Sequence, residues 1–130
     1  MWKSEITEES GVVMVTLGAE FQVIDQTVIG LCRKLWKELE DKNAYRVVLD
    51  LGYTNYMDSE FLGMLFEIRE HVIGRPSGRI GICSLLPHPR EVFALTKLDT
   101  LFDIFETSEK AKTAYAHAAE PEFEYSLAMC

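Results

Sequence analysis

From Trp2 to Glu8 apolar and polar positions alternate loosely, with Trp2, Ser4 and Ile6 on one side and Lys3, Glu5 and Thr7 on the other. This is the pattern of an edge strand. Glu9-Ser10-Gly11 predicts a turn, and the β-branched run Val12–Leu17 predicts a second strand, so the chain opens on an antiparallel hairpin. After Gly18 a loop leads to Asp25, a good helix N-cap. From Gln26 to Glu40 the residues Val28, Cys32, Leu35 and Leu39 fall at i, i+4, i+7 and i+11, one helical face. Arg33, Lys34, Lys37 and Glu40 lie largely off that face and read as solvated surface.

Arg46–Leu51 is nearly continuous apolar sequence, suited to a strand buried on both faces. The loop Gly52–Met57 leads to Asp58, after which Phe61, Leu62, Leu65, Ile68 and Val72 mark a second helical face. Gly74–Gly78 turns the chain into a short buried strand, Ile80–Cys83. Pro89 can open a third helix in its first turn, running through Val92, Phe93, Leu95 and Leu98. Leu101–Phe105 reads as a fifth strand. Ser108 caps a last helix with Ala111, Ala114, Tyr115 and Ala118 facing inward. Strands alternating with helices imply mostly parallel pairing. The expected fold is α/β: one domain over residues 1–119, a mixed sheet of about five strands in the order β-β-α-β-α-β-α-β-α, and a C-terminal tail, 120–130.

Composition changes this picture little. Of 130 residues, 48% are hydrophobic and 26% charged, ordinary values for a globular chain. No apolar run approaches the roughly 18 residues of a membrane span, and the N-terminus has no secretory h-region, so no membrane is expected. Thirteen basic against 21 acidic residues give a net charge of −8. Such a chain does not bind a nucleic-acid backbone by charge; it favours a basic partner surface. Cys32, Cys83 and Cys130 have no metal-ligand spacing. The first two sit in apolar segments and read as small buried hydrophobes. The reducing cytosol is the consistent compartment. No cofactor or metal site is expected. The tail can cover a sheet edge, mediate dimerisation or stay loose, so a homodimer is left open.

Enzymatic chemistry has little to stand on. Ser59 and His71 lie twelve residues apart on one helix, about 18 Å at ~1.5 Å per residue, too far for a nucleophile and its base. His88 and His117 have no motif around them. Gly74-Arg75-Pro76-Ser77-Gly78-Arg79 lacks the Lys-Ser/Thr pair of a phosphate loop and stands between a helix and a strand, the reverse of the required order. A non-enzyme is therefore expected.

The segment Tyr56-Met57-Asp58-Ser59-Glu60-Phe61-Leu62-Gly63 carries the strongest signal. It joins a buried strand to a helix at the carboxyl end of the sheet, where open α/β folds tend to place their sites. Asp58 is a natural N-cap, and Ser59 falls at the first exposed helical position. From composition alone Asp-Ser is ordinary helix-start chemistry. Tyr53 and Tyr56 read equally as partner contacts or as loop aromatics half-buried on the sheet. Met64 and Phe61 fit the core, and Glu60 the surface.

Val47-Val48-Leu49-Asp50-Leu51, the loop, Met57-Asp58-Ser59 and Leu62-Gly63 together resemble the signature of STAS domains, and more narrowly of bacterial anti-sigma factor antagonists. The resemblance covers about Gly11 to Tyr115, with Pro87, Val92-Phe93, Thr96, Leu98 and Leu101-Phe102 in register. It implies a cytoplasmic switch protein. In such antagonists the serine after the motif aspartate is phosphorylated by a partner kinase that is also the anti-sigma factor, and a separate phosphatase resets it, so the resemblance implies the same here. Ser59 holds the acceptor position. Asp58, Ser59, Glu60, Gln22 and Tyr56 are the expected partner-binding residues. The other reading is a STAS interaction or scaffold module, or a small-ligand sensor, that works without phosphorylation. Glu60 and Phe61 replace the usual small residue and glycine, Gln22 stands where many relatives carry aspartate, and Lys97 replaces another frequent glycine.

Overall fold

The computed structural model describes residues 4–42 and 44–116. Expectations for Trp2, His117, Ala118, Cys130, the tail 120–130 and the boundary at 119 lie outside them. The described elements are β1 (Glu5–Glu9), β2 (Val12–Thr16), β3 (Val23–Ile24), α1 (Ile29–Asp41), β4 (Arg46–Asp50), β5 (Tyr56–Met57), α2 (Ser59–Ile73), β6 (Arg79–Cys83), α3 (Pro87–Leu95), β7 (Asp103–Phe105) and α4 (Ser108–Ala116). Five strands form one mixed sheet in the order β1-β2-β4-β6-β7. Only β1 pairs antiparallel, as the hairpin partner of β2; β2, β4, β6 and β7 run parallel.

Strand β4 is the axis. Val47 and Leu49 face the larger core, shared with α1, α2 and α3, through Cys32, Trp36, Phe61, Leu65 and Phe93. Val48 faces the smaller core with Val12, Met14, Cys83, Ala111 and Tyr115 of α4. Burial on both faces explains the unbroken apolar run, and each such side chain is worth about 1.5–3 kcal/mol relative to exposure. The run opens on a buried cation: Arg46 donates from Nη1 to the Tyr115 carbonyl at 3.0 Å, and its guanidinium lies 5.2 Å from the centre of the Tyr45 ring.

Several boundaries differ from the sequence expectation. Helix α1 starts at Ile29, not Gln26, because Asp25 caps a turn instead of the helix. Its carboxylate accepts the Thr27 amide at 2.9 Å and the Thr27 hydroxyl at 2.6 Å, and the Thr27 hydroxyl, followed by its amide, holds the carboxyl below its ordinary value. Helix α3 begins at Pro87, which leaves both prolines in the first turn, where no amide is needed. It ends at Leu95, because Lys97 adopts φ 62°. That left-handed conformation costs a side-chain-bearing residue about 1–2 kcal/mol, so a glycine would suit the position. Leu98 then opens a 3-10 turn, still buried. Thr107, not Ser108, caps α4 by accepting the Lys110 amide at 3.2 Å. Ala114 is exposed rather than inward.

Two close approaches demand glycine. A Cβ on Gly78 would collide with the Val72 carbonyl. One on Gly81 would lie 2.9 Å from both the Tyr115 hydroxyl and the Phe105 ring, which themselves stack edge to face at 5.5 Å. Tyr115 cannot swing away freely, because its hydroxyl donates to Asp103 at 2.6 Å. We expect Gly81→Ala to destabilise the fold by about 1–3 kcal/mol in urea denaturation; an unchanged midpoint would refute this packing.

Candidate functional site

The candidate site is the N-terminal end of α2 and the chain that feeds it. Asp58 is extended, with φ −92° and ψ 177°, as an N-cap must be. Its Oδ1 accepts the Phe61 amide at 3.0 Å, and its carbonyl accepts the Leu62 amide at 3.2 Å. Ser59 follows as the first helical residue, exposed. Phe61 is turned fully inward, its ring centre 6.0 Å from that of Trp36. The Trp36 indole donates to the Met64 carbonyl at 2.9 Å, which fixes α2 against α1. Met64 is buried, as the apolar spacing implies.

A two-residue parallel ladder, β3 with β5, brings the distant loop to this end. The Gln22 carbonyl accepts the Asn55 amide at 2.8 Å, and the Ile24 carbonyl accepts the Asp58 amide at 3.0 Å. Below them the fully buried Thr54 hydroxyl donates to the Phe21 carbonyl at 2.8 Å. Gln22, Tyr56, Asp58, Ser59 and Glu60 thus occupy one corner of the molecule. Tyr53 and Tyr56 remain 43% and 46% exposed, and Val23, the ladder partner of Tyr56, 48%. Tyr56 and Val23 thus stand exposed on the ladder that leads into α2. Exposed tyrosines of this kind can anchor protein interfaces.

Sequence reasoning did not find Val23, Thr54 or Arg33. Arg33 was expected to be solvated surface; it reaches across from α1 to Glu60 at 3.2 Å. Both groups are about half exposed, so the pair adds little stability, but it offsets the charge beside Ser59. A positive residue facing Glu60 had no sequence signal, because the pairing spans two helices. Gly63, one turn beyond Ser59, is exposed, and a Cβ there would meet nothing within 4 Å. A mid-helix glycine costs about 1 kcal/mol against alanine, and no close approach among the described residues accounts for it.

Behind the corner, burial pushes the Cys32 thiol up to about 12, with the Asp58 carboxylate adding to the effect. Cys83, beneath the other face of the sheet, is likewise pushed up to about 12 by burial and by Asp50. Among the described residues no group of His, Cys, Asp and Glu could hold a metal ion, and no helix is long and apolar enough to cross a membrane.

The STAS domain profile matches residues 3–111. The chain belongs to the STAS domain family. Its relatives include BtrV of Bordetella bronchiseptica, provisionally named an anti-sigma factor antagonist, which is 33% identical over 78 residues. That alignment covers 60% of this chain and 66% of BtrV, just under two thirds of its length. Among solved structures, an anti-sigma-factor antagonist (STAS) domain protein from Planctomyces limnophilus superposes with a TM-score of 0.78 at 23% identity, covering 88% of this chain and 98% of that one. The Bacillus cell fate determinant SpoIIAA, solved in its phosphorylated form, gives a TM-score of 0.64 at 18% identity, covering 88% and 99%. The fold is therefore that of an antagonist-like STAS domain.

Asp58→Ala should cost about 1 kcal/mol through the lost cap, read as a lower urea midpoint. The thiols set a pH dependence. The folded chain keeps the Cys32 and Cys83 protons above their ordinary value of 9.0, while the unfolded chain releases them there. Stability is therefore full below about pH 9 and falls as pH rises toward 12, by up to about 1.4 kcal/mol per pH unit for each proton. The variant carrying Cys32→Ala and Cys83→Ala together should show a shallower decline between pH 9 and 11. An identical slope would rule the thiols out as its source.

Proposed function

We propose that this chain is an anti-sigma factor antagonist whose partner is an anti-sigma factor with serine kinase activity, and that phosphorylation of Ser59 releases that partner. A phosphatase would restore the binding form. The observation that carries this reading is the exposed Ser59 hydroxyl on the first turn of α2, flanked by Gln22, Tyr56, Asp58 and Glu60, with Val23 exposed on the adjoining ladder. The family supports it: BtrV bears the antagonist name and SpoIIAA has been solved phosphorylated.

The physics fits a switch that works without unfolding. A phosphate adds about −1.5 to −2 charges. At a helix N-terminus the macrodipole favours it by about 0.3–1 kcal/mol, so the fold tolerates the modification. The partner does not. A surface fitted to a neutral hydroxyl between Asp58 and Glu60 would have to bury an unpaired dianion, at a cost of several kcal/mol. The two departures from the family motif are accommodated: Phe61 turns into the core and leaves the surface clear, and Arg33 offsets Glu60. The intracellular setting follows from that partner, since sigma factors act on cytoplasmic transcription.

The test is affinity capture with wild type and Ser59→Asp as parallel baits, followed by titration of the retained partner. Ser59→Asp should bind at least tenfold more weakly, about 1.4 kcal/mol, while its urea midpoint stays within about 0.5 kcal/mol of wild type. Equal affinity of both baits for the same partner would sink the switch and leave a fixed binding module.

A further inference from the structure

The two carboxylates that flank Ser59 are held differently. Asp58 is engaged by its own helix, with Oδ1 accepting the Phe61 amide at 3.0 Å. Glu60 is held from outside α2: its Oε2 accepts from Arg33 Nη2 of α1 at 3.2 Å. That contact joins one nitrogen to one oxygen, not the parallel pair of bonds arginine makes with a well-placed acid. The Arg33 side chain is 56% exposed. Exposed pairs of this kind add little stability, so Arg33 can exchange partners at small cost. Arg33 also lines the cleft between α1 and α2 together with Lys37 and Glu67. Both helices cross over between parallel strands and so run the same way. Lys37, one turn after Arg33, therefore stands further from the Ser59 end.

Ser59 adjoins Glu60, about 3.8 Å away at Cα and about 100° round the helix. A phosphate on its hydroxyl places a stronger acid within the sweep of the same guanidinium. It carries about −1.5 to −2 charges and three acceptor oxygens, against the single charge of Glu60. Coulomb attraction scales with charge, and the planar guanidinium matches phosphate oxygens in pairs. We infer that Arg33 is the internal counter-ion of the modified site: when Ser59 carries phosphate, the guanidinium leaves Glu60 and closes on the phosphate, and Glu60 loses its cation. Arg33 is thus a positioning residue, and its role rests on Ser59 being the phosphorylated residue. The exchange does not cancel the switch. Arg33 neutralises only part of the phosphate and bares Glu60, so the corner still gains the full charge of the modification. The change spreads from the serine to the flank that faces α1.

The test uses the full-length chain with phosphoserine installed at position 59 during translation, so no kinase is needed. The second ionisation of the phosphate, near pH 6 in an unperturbed phosphoserine, is followed by ³¹P NMR. Arg33→Ala should raise that pKa by about half a unit, a threefold change in the acid dissociation constant. Arg33→Lys should restore part of the difference, because lysine keeps the charge without the fork. Lys37→Ala removes the same charge one turn away and should move the titration by no more than about 0.1 unit. The urea midpoint of unphosphorylated Arg33→Ala should stay within about 0.5 kcal/mol of wild type, which sets aside a folding defect. A cycle with Glu60→Gln locates the guanidinium. If Arg33 has already moved, Arg33→Ala has the same effect with or without Glu60→Gln. An effect seen only alongside Glu60→Gln means that Arg33 stays on Glu60, and overturns the inference. So does an unmoved titration in Arg33→Ala, or an equal shift in Lys37→Ala. A moved titration while Ser59→Asp still retains the partner leaves the contact standing and removes the switch. Loss of the partner by Ser59→Asp with an unmoved titration removes the Arg33 role alone.

Discussion

Strand β4 can leave neither face in water. Val47, Val48 and Leu49 are fully buried, with α1 and α2 over one side of the sheet and α4 over the other. Its backbone is satisfied only by parallel neighbours on both edges, β2 and β6. Everything else follows from that demand. Parallel neighbours require crossovers, the crossovers are the helices, and the helix that follows β4 must begin at the carboxyl end of the sheet. The position of Ser59 is a by-product of covering three apolar residues.

The route from β4 to α2 is more than a linker. Eight residues after Leu49, Met57 lies buried in the small β3–β5 ladder, which ties the chain following the hairpin to the chain preceding α2. Thr54 and the Gln22 carbonyl stitch the two loops together from below. The corner is therefore built from two separate stretches of sequence, both anchored. The Asp58 cap and the Trp36 indole then hold α2 at its start and one turn further on. A partner meeting this corner finds little left to order, so few of its contacts are offset by loss of freedom.

The sheet, its hairpin, the three crossover helices and α4 were legible because they obey strong periodicities. The β4 run and the apolar faces of α1 and α2 left little choice. The β3–β5 ladder was not legible: two residues are too few for any period, and its hydrogen bonds come from carbonyls that no side chain advertises. Helix starts were read well where a carboxylate serves the helix, as at Asp58, and misread where it serves a turn, as at Asp25, since both uses begin with the same residue type. The resemblance placed Gln22 with Ser59, and the ladder supplies the physical connection. The Arg33–Glu60 contact needed three dimensions, because it depends on how α1 and α2 are rotated against each other.

The outer edge of the sheet has a consequence for assembly. Strand β1 offers its free edge with Glu5, Glu8 and Glu9 exposed. An open edge is a template for another strand, and an incoming copy would bring its own row of carboxylates to the same seam. Sheet extension through β1 is thus self-limiting. On that side of the molecule, contact with other proteins is left to side chains that a single modification can alter, rather than to a backbone that no modification can edit.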